Sequence, residues 1–422
     1  MSVKRRRLNP TTIFDPVHRE YELGAEIIDI INTSEFQRLR RLRQLATAHW
    51  VWLGATHTRF EHSISVAYLA GRMASHLKKK QPELKITERQ ILLVQLAGLL
   101  HDVGHGPFSH LFDDVFLKDS SSPMAHHEQR SVAIVTLLLQ KSAFQYSAEE
   151  IAFVQSLIAP TKGQEGFLYH IVANQVNHLD VDKMEYIKRD ARACGLSQGG
   201  FDTDTMRIIN AARVIDGCIC YHHKVYEDIY NLFQTRYRLH TTVYRHSAVV
   251  AIHHMVSDAL RVSGLPIEES IQNLDRFLQY DDTILDAIRR SKSEDMSKAR
   301  EIIRRIDERK LYKVVVTDKR SKPWPIPPTA AAVAAMVPDL GEDAVVVDVS
   351  CVGFIGKADG HPMDHLKFYD SDKPDKSFSM KRRSVSTLLT ARYCEYWTRI
   401  IVKEESLVDL AQNAWSAWKA SI

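Results

Sequence analysis

The chain has 422 residues and a mass of 48.3 kDa, with 45% hydrophobic and 26% charged residues, the balance of a folded enzyme rather than a disordered or fibrous chain. Fifty-six lysines and arginines against 52 aspartates and glutamates leave a net charge of +4, too even to point to nucleic acid by itself. The longest apolar run, 91–100, is far short of the ~20 residues of a membrane span, and Lys4–Arg7 leads into polar residues rather than a secretory core, so membrane and secreted classes are set aside.

Residues 1–14 read as a basic tail. Its Lys4-Arg5-Arg6-Arg7 cluster is either solvated or a nuclear-import signal, which gives an intracellular setting, cytoplasmic or nuclear. Ser34-Glu35-Phe36-Gln37 has the capping-box form and predicts an arginine-rich amphipathic helix with Phe36, Leu39, Leu42 (or Arg43) and Leu45 at helical spacing. Helices are predicted from about Glu61 to Lys80, where cations suit the C-terminal end, and from a second capping box at Thr87 to near Gly104. Further helical periodicity covers roughly 128–140, 148–158, 180–194, 203–218, 224–262, 268–289 and 294–308.

The composition shifts after Lys310. Tyr312–Val316 and Ala344–Val349 read as strands, separated by a proline-rich segment and an alanine-rich helix, with a third strand at Phe378–Met380 and helix again over 384–417. The expectation is a mainly α protein: a helical domain over 15–310 and a smaller C-terminal α+β lobe over 311–422. Parallel-sheet signals are missing, which disfavours a doubly wound α/β fold. Five scattered cysteines without a CxxC pair argue against a disulfide framework or a zinc ribbon and favour a reducing compartment.

Histidine is the outlier, with 20 in the chain and nine of them between His49 and His127. His101-Asp102 closes a very apolar helix, where an ionisable pair is costly to bury without a partner. With His62 and Asp182 it forms a candidate metal set. Imidazole with carboxylate suits Mn, Fe, Zn, Ni or Mg better than a thiolate-seeking metal. His105, His110, Asp113, His127 and Glu128 follow closely, groups suited to proton transfer at a phosphate beside a metal. Asp182, Tyr186 and Asp190 recur at i, i+4 and i+8 on one helical face, and Arg236, His240 and Tyr244 repeat the spacing. There is no GxxxxGK[ST] loop and no GxSxG elbow, so phosphates would be held by metal and cationic side chains and no covalent nucleophile stands out.

His62, His101-Asp102 and Asp182 resemble the H…HD…D signature of the HD phosphohydrolase superfamily. The strings Phe36–Arg40, Arg59–Ser63, His101–His110, His127–Gln129, Asp180–Lys183 and Asp364–Tyr369 resemble more narrowly the HD-domain dNTP triphosphohydrolases of the SAM-and-HD-domain type. The resemblance runs from about Asp15 to the C-terminus, and no SAM domain is expected ahead of it. It implies metal-dependent hydrolysis of a dNTP to deoxynucleoside and inorganic triphosphate. By that resemblance His62, His101, Asp102 and Asp182 hold the metal, and His127 is catalytic with His105, His110, Asp113 and Glu128 around it. Arg59 and Lys183 contact phosphates, and Gln44 and Asp190 bind the 3′-hydroxyl. Tyr186 and Tyr244 crowd the 2′ position, and Leu45, Arg236 and His240 complete the nucleoside site.

The family also implies a homo-oligomer, dimer or tetramer, with nucleotide activator sites at subunit contacts. Here the resemblance departs. Asn32 stands at a guanine-reading aspartate, Thr11 at a lysine, and Thr205 and His222 at two arginines, while Gln37, Arg40 and Lys224 match. Losing an anionic acceptor and cationic phosphate contacts should weaken such a site, so GTP activation is expected to be altered or lost. Two other readings stay open. One is a different HD phosphohydrolase, acting on a nucleoside monophosphate, a cyclic dinucleotide or a nucleic-acid phosphodiester. The other is a non-catalytic nucleic-acid-binding module using Lys4–Arg7 and the cations of 38–43.

Overall fold

A computed structural model describes residues 9–161, 163–197, 204–355, 360–380 and 392–422. The Lys4–Arg7 cluster lies outside the described residues. The fold is mainly α, with three small sheets. No described helix is long and apolar enough to cross a membrane. The chain forms two compact units that interleave in sequence: 1–235, 266–284 and 362–387 make one, and 236–265, 285–361 and 388–422 the other.

In the first unit the capped helices form where the sequence places them. Thr58 with Glu61 caps Arg59–Lys80, and Thr87 with Gln90 caps Glu88–Leu100. These two helices, with Val181–Ala193, carry most of the chemistry described below. Helices His127–Lys141 and Ala148–Ile158 also lie close to their predicted spans. An N-terminal hairpin, Thr11–Asp15 with Arg19–Leu23, begins inside the segment read as a tail.

Several elements differ from the sequence reading. Thr33, not Ser34, caps the first arginine-rich segment, its hydroxyl accepting from Phe36 N at 3.3 Å. The helix lasts only from Ser34 to Gln37 and tightens to a 3₁₀ turn over Arg38–Arg41. The reason is that its arginines are not a solvated face. Arg38 is buried and donates to the carbonyls of Tyr280 and His105, both at 2.8 Å, and Arg41 pairs with Asp281 at 2.5 Å. These internal contacts draw part of the 38–43 cationic run away from the nucleic-acid reading.

The helix expected over 203–218 stops at Asn210 and gives way to a hairpin, Ala212–Ile215 with Cys218–His222. The turn is Asp216-Gly217, with φ of 50° and 74°, and such a two-residue Asp-Gly turn, here between Ile215 and Cys218, favours a hairpin. This hairpin continues into a four-stranded sheet through Phe368–Asp370, which runs parallel to Cys218–His222, and then Lys373–Phe378. The strand predicted at Phe378–Met380 therefore ends where it was expected to begin. The single helix expected over 268–289 breaks into Ile267–Ser270, Leu274–Phe277 and Ile284–Arg290, because Asn273 caps a fresh turn through Arg276 N at 3.1 Å.

In the second unit the three-stranded sheet has Cys394–Val402 at its centre, antiparallel to Lys313–Arg320 and Val345–Gly353. Of the helix predicted over 384–417, residues 384–391 lie outside the described residues and Cys394–Val402 is strand, its Trp397, Ile400, Ile401 and Val402 suiting a central position. Only Val408–Ala420 is helical, and its Trp415 and Trp418 pack with Trp324, Val345 and Ile400. Cys351 and Cys394 form a disulfide across neighbouring strands, one bridge where the scattered cysteines argued against a framework.

Candidate active site

The helices of the first unit bring His62, His101, Asp102 and Asp182 together. His62 Nε2 lies 3.4 Å from Asp102 Oδ2 and 3.2 Å from Asp182 Oδ1, and His101 Nε2 lies 3.4 Å from Asp102 Oδ1 and from Asp182 Oδ1. Donors bound at about 2.1 Å around one ion are separated by about 3.0–3.4 Å at octahedral or tetrahedral edges, so the spacing fits a shared cation. Both Nε2 atoms are buried and have no hydrogen-bond partner. Their Nδ1 atoms are engaged, His62 with Glu185 and His101 with the Gly98 carbonyl at 2.8 Å. Because those partners only accept, each Nδ1 carries the proton and each Nε2 presents a lone pair.

Without a cation, the same carboxylates draw protons onto these imidazoles, and a bound cation would take the place of the proton at each Nε2. Burial alone would push His62 down, but the Glu185, Asp182 and Asp102 carboxylates raise it to about 10, and His101 is raised against its burial chiefly by Asp102. Burial raises Asp182, yet both imidazoles hold it well below the usual carboxylate range. The cluster is an anionic hole that attracts positive charge. Arg59 pairs with Asp102 inside the fold and donates to Ser109 Oγ at 2.8 Å.

Beside it lies a second cluster. His105 stacks on His127 with centroids 3.7 Å apart and planes 20° apart, and His110 stands edge-on to both. Asp113 accepts from His127 Nδ1 at 2.7 Å and from its backbone N–H at 2.9 Å. Arg130 also pairs with Asp113 while donating to the carbonyls of Gly104 and Met124. Burial opposes ionisation of Asp113, but His127 and Arg130 hold it near about 2. His105, fully buried, is pushed down by burial and then by Arg59 and His127, and His110, exposed at the surface, is pushed down by partial desolvation among its neighbours and then by His127 and Arg59. Glu128 sits half-exposed, 3.5 Å from His127 Nδ1.

On the Val181–Ala193 helix, Asp180 caps the backbone of Lys183 at 2.9 Å and pairs with its ammonium at 3.0 Å. Asp190 is buried against His57 Nε2 at 2.7 Å. Tyr186 is half-buried between them on the same helix, and Gln44 and Leu45 lie in the turn after Leu42. Arg236, His240 and Tyr244 belong to the second unit, where Arg236 donates to the Gly353 carbonyl and the His240 and Tyr244 rings meet edge-on at 4.8 Å.

The activator candidates separate. Gln37 Nε2 donates to the Ile31 carbonyl beside exposed Asn32, and Gln37 Oε1 accepts from Arg40, whose guanidinium lies 3.5 Å from the Phe60 ring centroid. Lys224 and His222 instead line a cavity of about 500 Å³ with Asp204, Arg207 and Tyr369. Thr11 is exposed on the first strand, and Thr205 is fully buried at a helix start.

Sequence reasoning missed the layer behind the metal set. Glu185 Oε1 accepts from Arg189 Nε at 2.6 Å, Arg189 reaches Asp15 and Ser65 at 2.9 Å each, and His18 lies 3.4 Å from Glu185. The signal was present: Glu185 and Arg189 are an i, i+4 opposite-charge pair beside the apolar face of a predicted helix. Asp15 explains the N-terminal hairpin, which anchors this buried layer.

Residues 59–165 match the HD domain and 203–325 the HD associated region. The chain is 34% identical over 418 residues to the deoxynucleoside triphosphate triphosphohydrolase SAMHD1 homolog of Dictyostelium discoideum, covering 97% of this chain and 80% of that protein. It is also 34% identical to deoxynucleoside triphosphate triphosphohydrolase SAMHD1 of Homo sapiens, covering 93% and 70%. An HD domain-containing protein of Acanthamoeba polyphaga mimivirus is 30% identical, covering 91% and 90%. The chain belongs to the SAMHD1-type HD-domain family and is an enzyme of the phosphohydrolase class.

Proposed function

We propose that this enzyme hydrolyses deoxynucleoside triphosphates to deoxynucleoside and inorganic triphosphate with the help of a divalent metal. The observation that carries this reading is the juxtaposition of an anionic two-histidine, two-carboxylate cluster with the His127–Asp113 dyad, in a chain whose relatives are named for this reaction. His62, His101, Asp102 and Asp182 would hold the ion, whose donor set fits Mn, Fe, Zn, Ni or Mg. When bound, it supplies Lewis acidity toward water and the α-phosphate.

The protein's own residues do the rest. Arg59 and Lys183 offset phosphate charge. In hydrolysis the oxygen of water bonds to the α-phosphorus, the bond from that phosphorus to the 5′-oxygen breaks, the leaving oxygen takes a proton from the protein, and the proton released by the water restores it. His127, its Nδ1–H held by ionised Asp113, is positioned to supply that proton from Nε2. Buried, stacked His105 and exposed, edge-on His110, both pushed down, favour a neutral surrounding that passes the proton on rather than a second set of fixed cations. Gln44 and Asp190 would hold the 3′-hydroxyl, and Tyr186 would crowd a 2′-hydroxyl. The assignment of Leu45, Arg236, His240 and Tyr244 to the nucleoside, and of Glu128 to the phosphate surroundings, rests on the resemblance.

Activation is read as altered. With Asn32, Thr11, Thr205 and His222 at the family's activator positions, GTP is expected to be dispensable or weak, and oligomerisation follows from the family. The test is product analysis by chromatography of each dNTP, NTP and dNMP with Mg or Mn, with and without GTP. Deoxynucleoside plus triphosphate without GTP supports the proposal. The same products only with GTP remove the activation part, and hydrolysis of a dNMP alone, or of no nucleotide, overturns the reaction.

A further inference from the structure

Gln44 and Asp190 come from distant parts of the chain, and His57, which has no role in the reaction described above, ties them together. His57 Nε2 lies 2.7 Å from Asp190 Oδ1, and the His57 carbonyl accepts the Gln44 backbone N–H at 3.0 Å. A carboxylate can only accept, so Nε2 carries the proton. The two side chains are 8% and 2% exposed, which removes water as a competitor for that bond. The loop bearing His57 is seated on both sides. An isolated bridge pairs Arg43 with Thr58, and Gly54 lies so close to the end of the Val181–Ala193 helix that a Cβ would stand 2.0 Å from the Ala193 carbonyl oxygen. Two buried polar atoms at this junction, Gln44 Oε1 and His57 Nδ1, have no hydrogen-bond partner. With Nε2 protonated both are acceptors, and a ligand that brings hydroxyl donors would satisfy such a site.

We infer that His57 is a positioning residue for sugar recognition, orienting the Asp190 carboxylate and the Gln44 turn as one unit toward the 3′-hydroxyl. The inference rests on the proposed reading of Gln44 and Asp190 as 3′-hydroxyl contacts. A merely structural His57 would affect every substrate alike, whereas a positioning His57 affects only substrates with that hydroxyl.

The experiment compares kcat/KM for a dNTP and its 2′,3′-dideoxy analogue in the unmodified enzyme, His57→Ala and His57→Gln. The unmodified enzyme should prefer the dNTP by on the order of 10²-fold, and His57→Ala should lower that preference about tenfold through KM for the dNTP, with the dideoxy substrate changed less than about twofold. His57→Gln, whose amide can donate from nearly the same place, should restore most of it. Should His57→Ala not fold, His57→Asn, whose donor is too short, takes its place against His57→Gln. Preference that survives in His57→Ala or His57→Asn, or equal loss on both substrates, overturns the inference alone. No preference in the unmodified enzyme, or no hydrolysis, overturns the reading of Gln44 and Asp190 and the inference with it.

Discussion

Two groups of three side chains, His62, His101 and Asp102 in one and His105, His110 and His127 in the other, each bring their donor atoms within 4.8 Å of one another. By distance alone either could take a metal. They differ in direction and in countercharge. In the first, Glu185 and the Gly98 carbonyl fix the Nδ1 protons, and both Nε2 lone pairs converge with carboxylates at ion-sharing distances. In the second, His105 and His127 lie face to face 3.7 Å apart, so their in-plane lone pairs run side by side and cannot meet on one ion. The first is surrounded by acids that raise its imidazoles, and in the second desolvation and the neighbouring charges of His127 and Arg59 lower His105 and His110. Proximity of ligand-type residues does not define a cation site; convergence with compensating charge does. The neighbouring cluster is suited to moving protons.

Substitutions separate the two roles. His101→Ala should lose both bound metal and turnover, with hydrolysis falling by about 10³-fold or more, because a Lewis acid supplies several kcal/mol of transition-state stabilisation. His127→Ala should cost about 10²–10⁴-fold in kcat, the range for one general acid, while bound metal is retained. Comparable loss of metal in both variants would erase the distinction. Glu185→Gln keeps the shape of the layer behind His62 but removes its charge. It should weaken metal affinity by about tenfold, read by calorimetry with Mn, while turnover at saturating metal changes little.

The smallest effect is on stability. The folded Asp113 sits near about 2, below its unfolded value, so its contribution is present at neutral pH and is lost as pH falls from about 4 to 2. That contribution is about 2 kcal/mol, and Asp113→Asn should lack this part of the acid transition when followed by circular dichroism on metal-free protein.

The site was more legible than the fold that holds it. His101-Asp102 stood out because an ionisable pair ended an apolar helix, and the capped helices Arg59–Lys80 and Glu88–Leu100 carry strong local signals. Glu185 and His57 were not read. Each acts through a partner more than a hundred residues away, and neither belongs to a motif. The strand Cys394–Val402 reads as helix because it is buried on both faces and mixes Glu395, Thr398 and Arg399 with its apolar residues, so its pattern lacks the strict alternation of a half-exposed strand. At Asp216-Gly217 the local turn chemistry outweighs the helical periodicity of the flanking residues. The interleaving of the two units depends on long-range packing that no local pattern encodes.

The most direct test is the metal content per chain, by elemental mass spectrometry, of the unmodified protein, His101→Ala and His127→Ala after the same metal loading and desalting. The account predicts about one tightly held ion in the unmodified protein and in His127→Ala, and almost none in His101→Ala. An ion retained in His101→Ala and lost in His127→Ala would place the cation in the stacked cluster and contradict it.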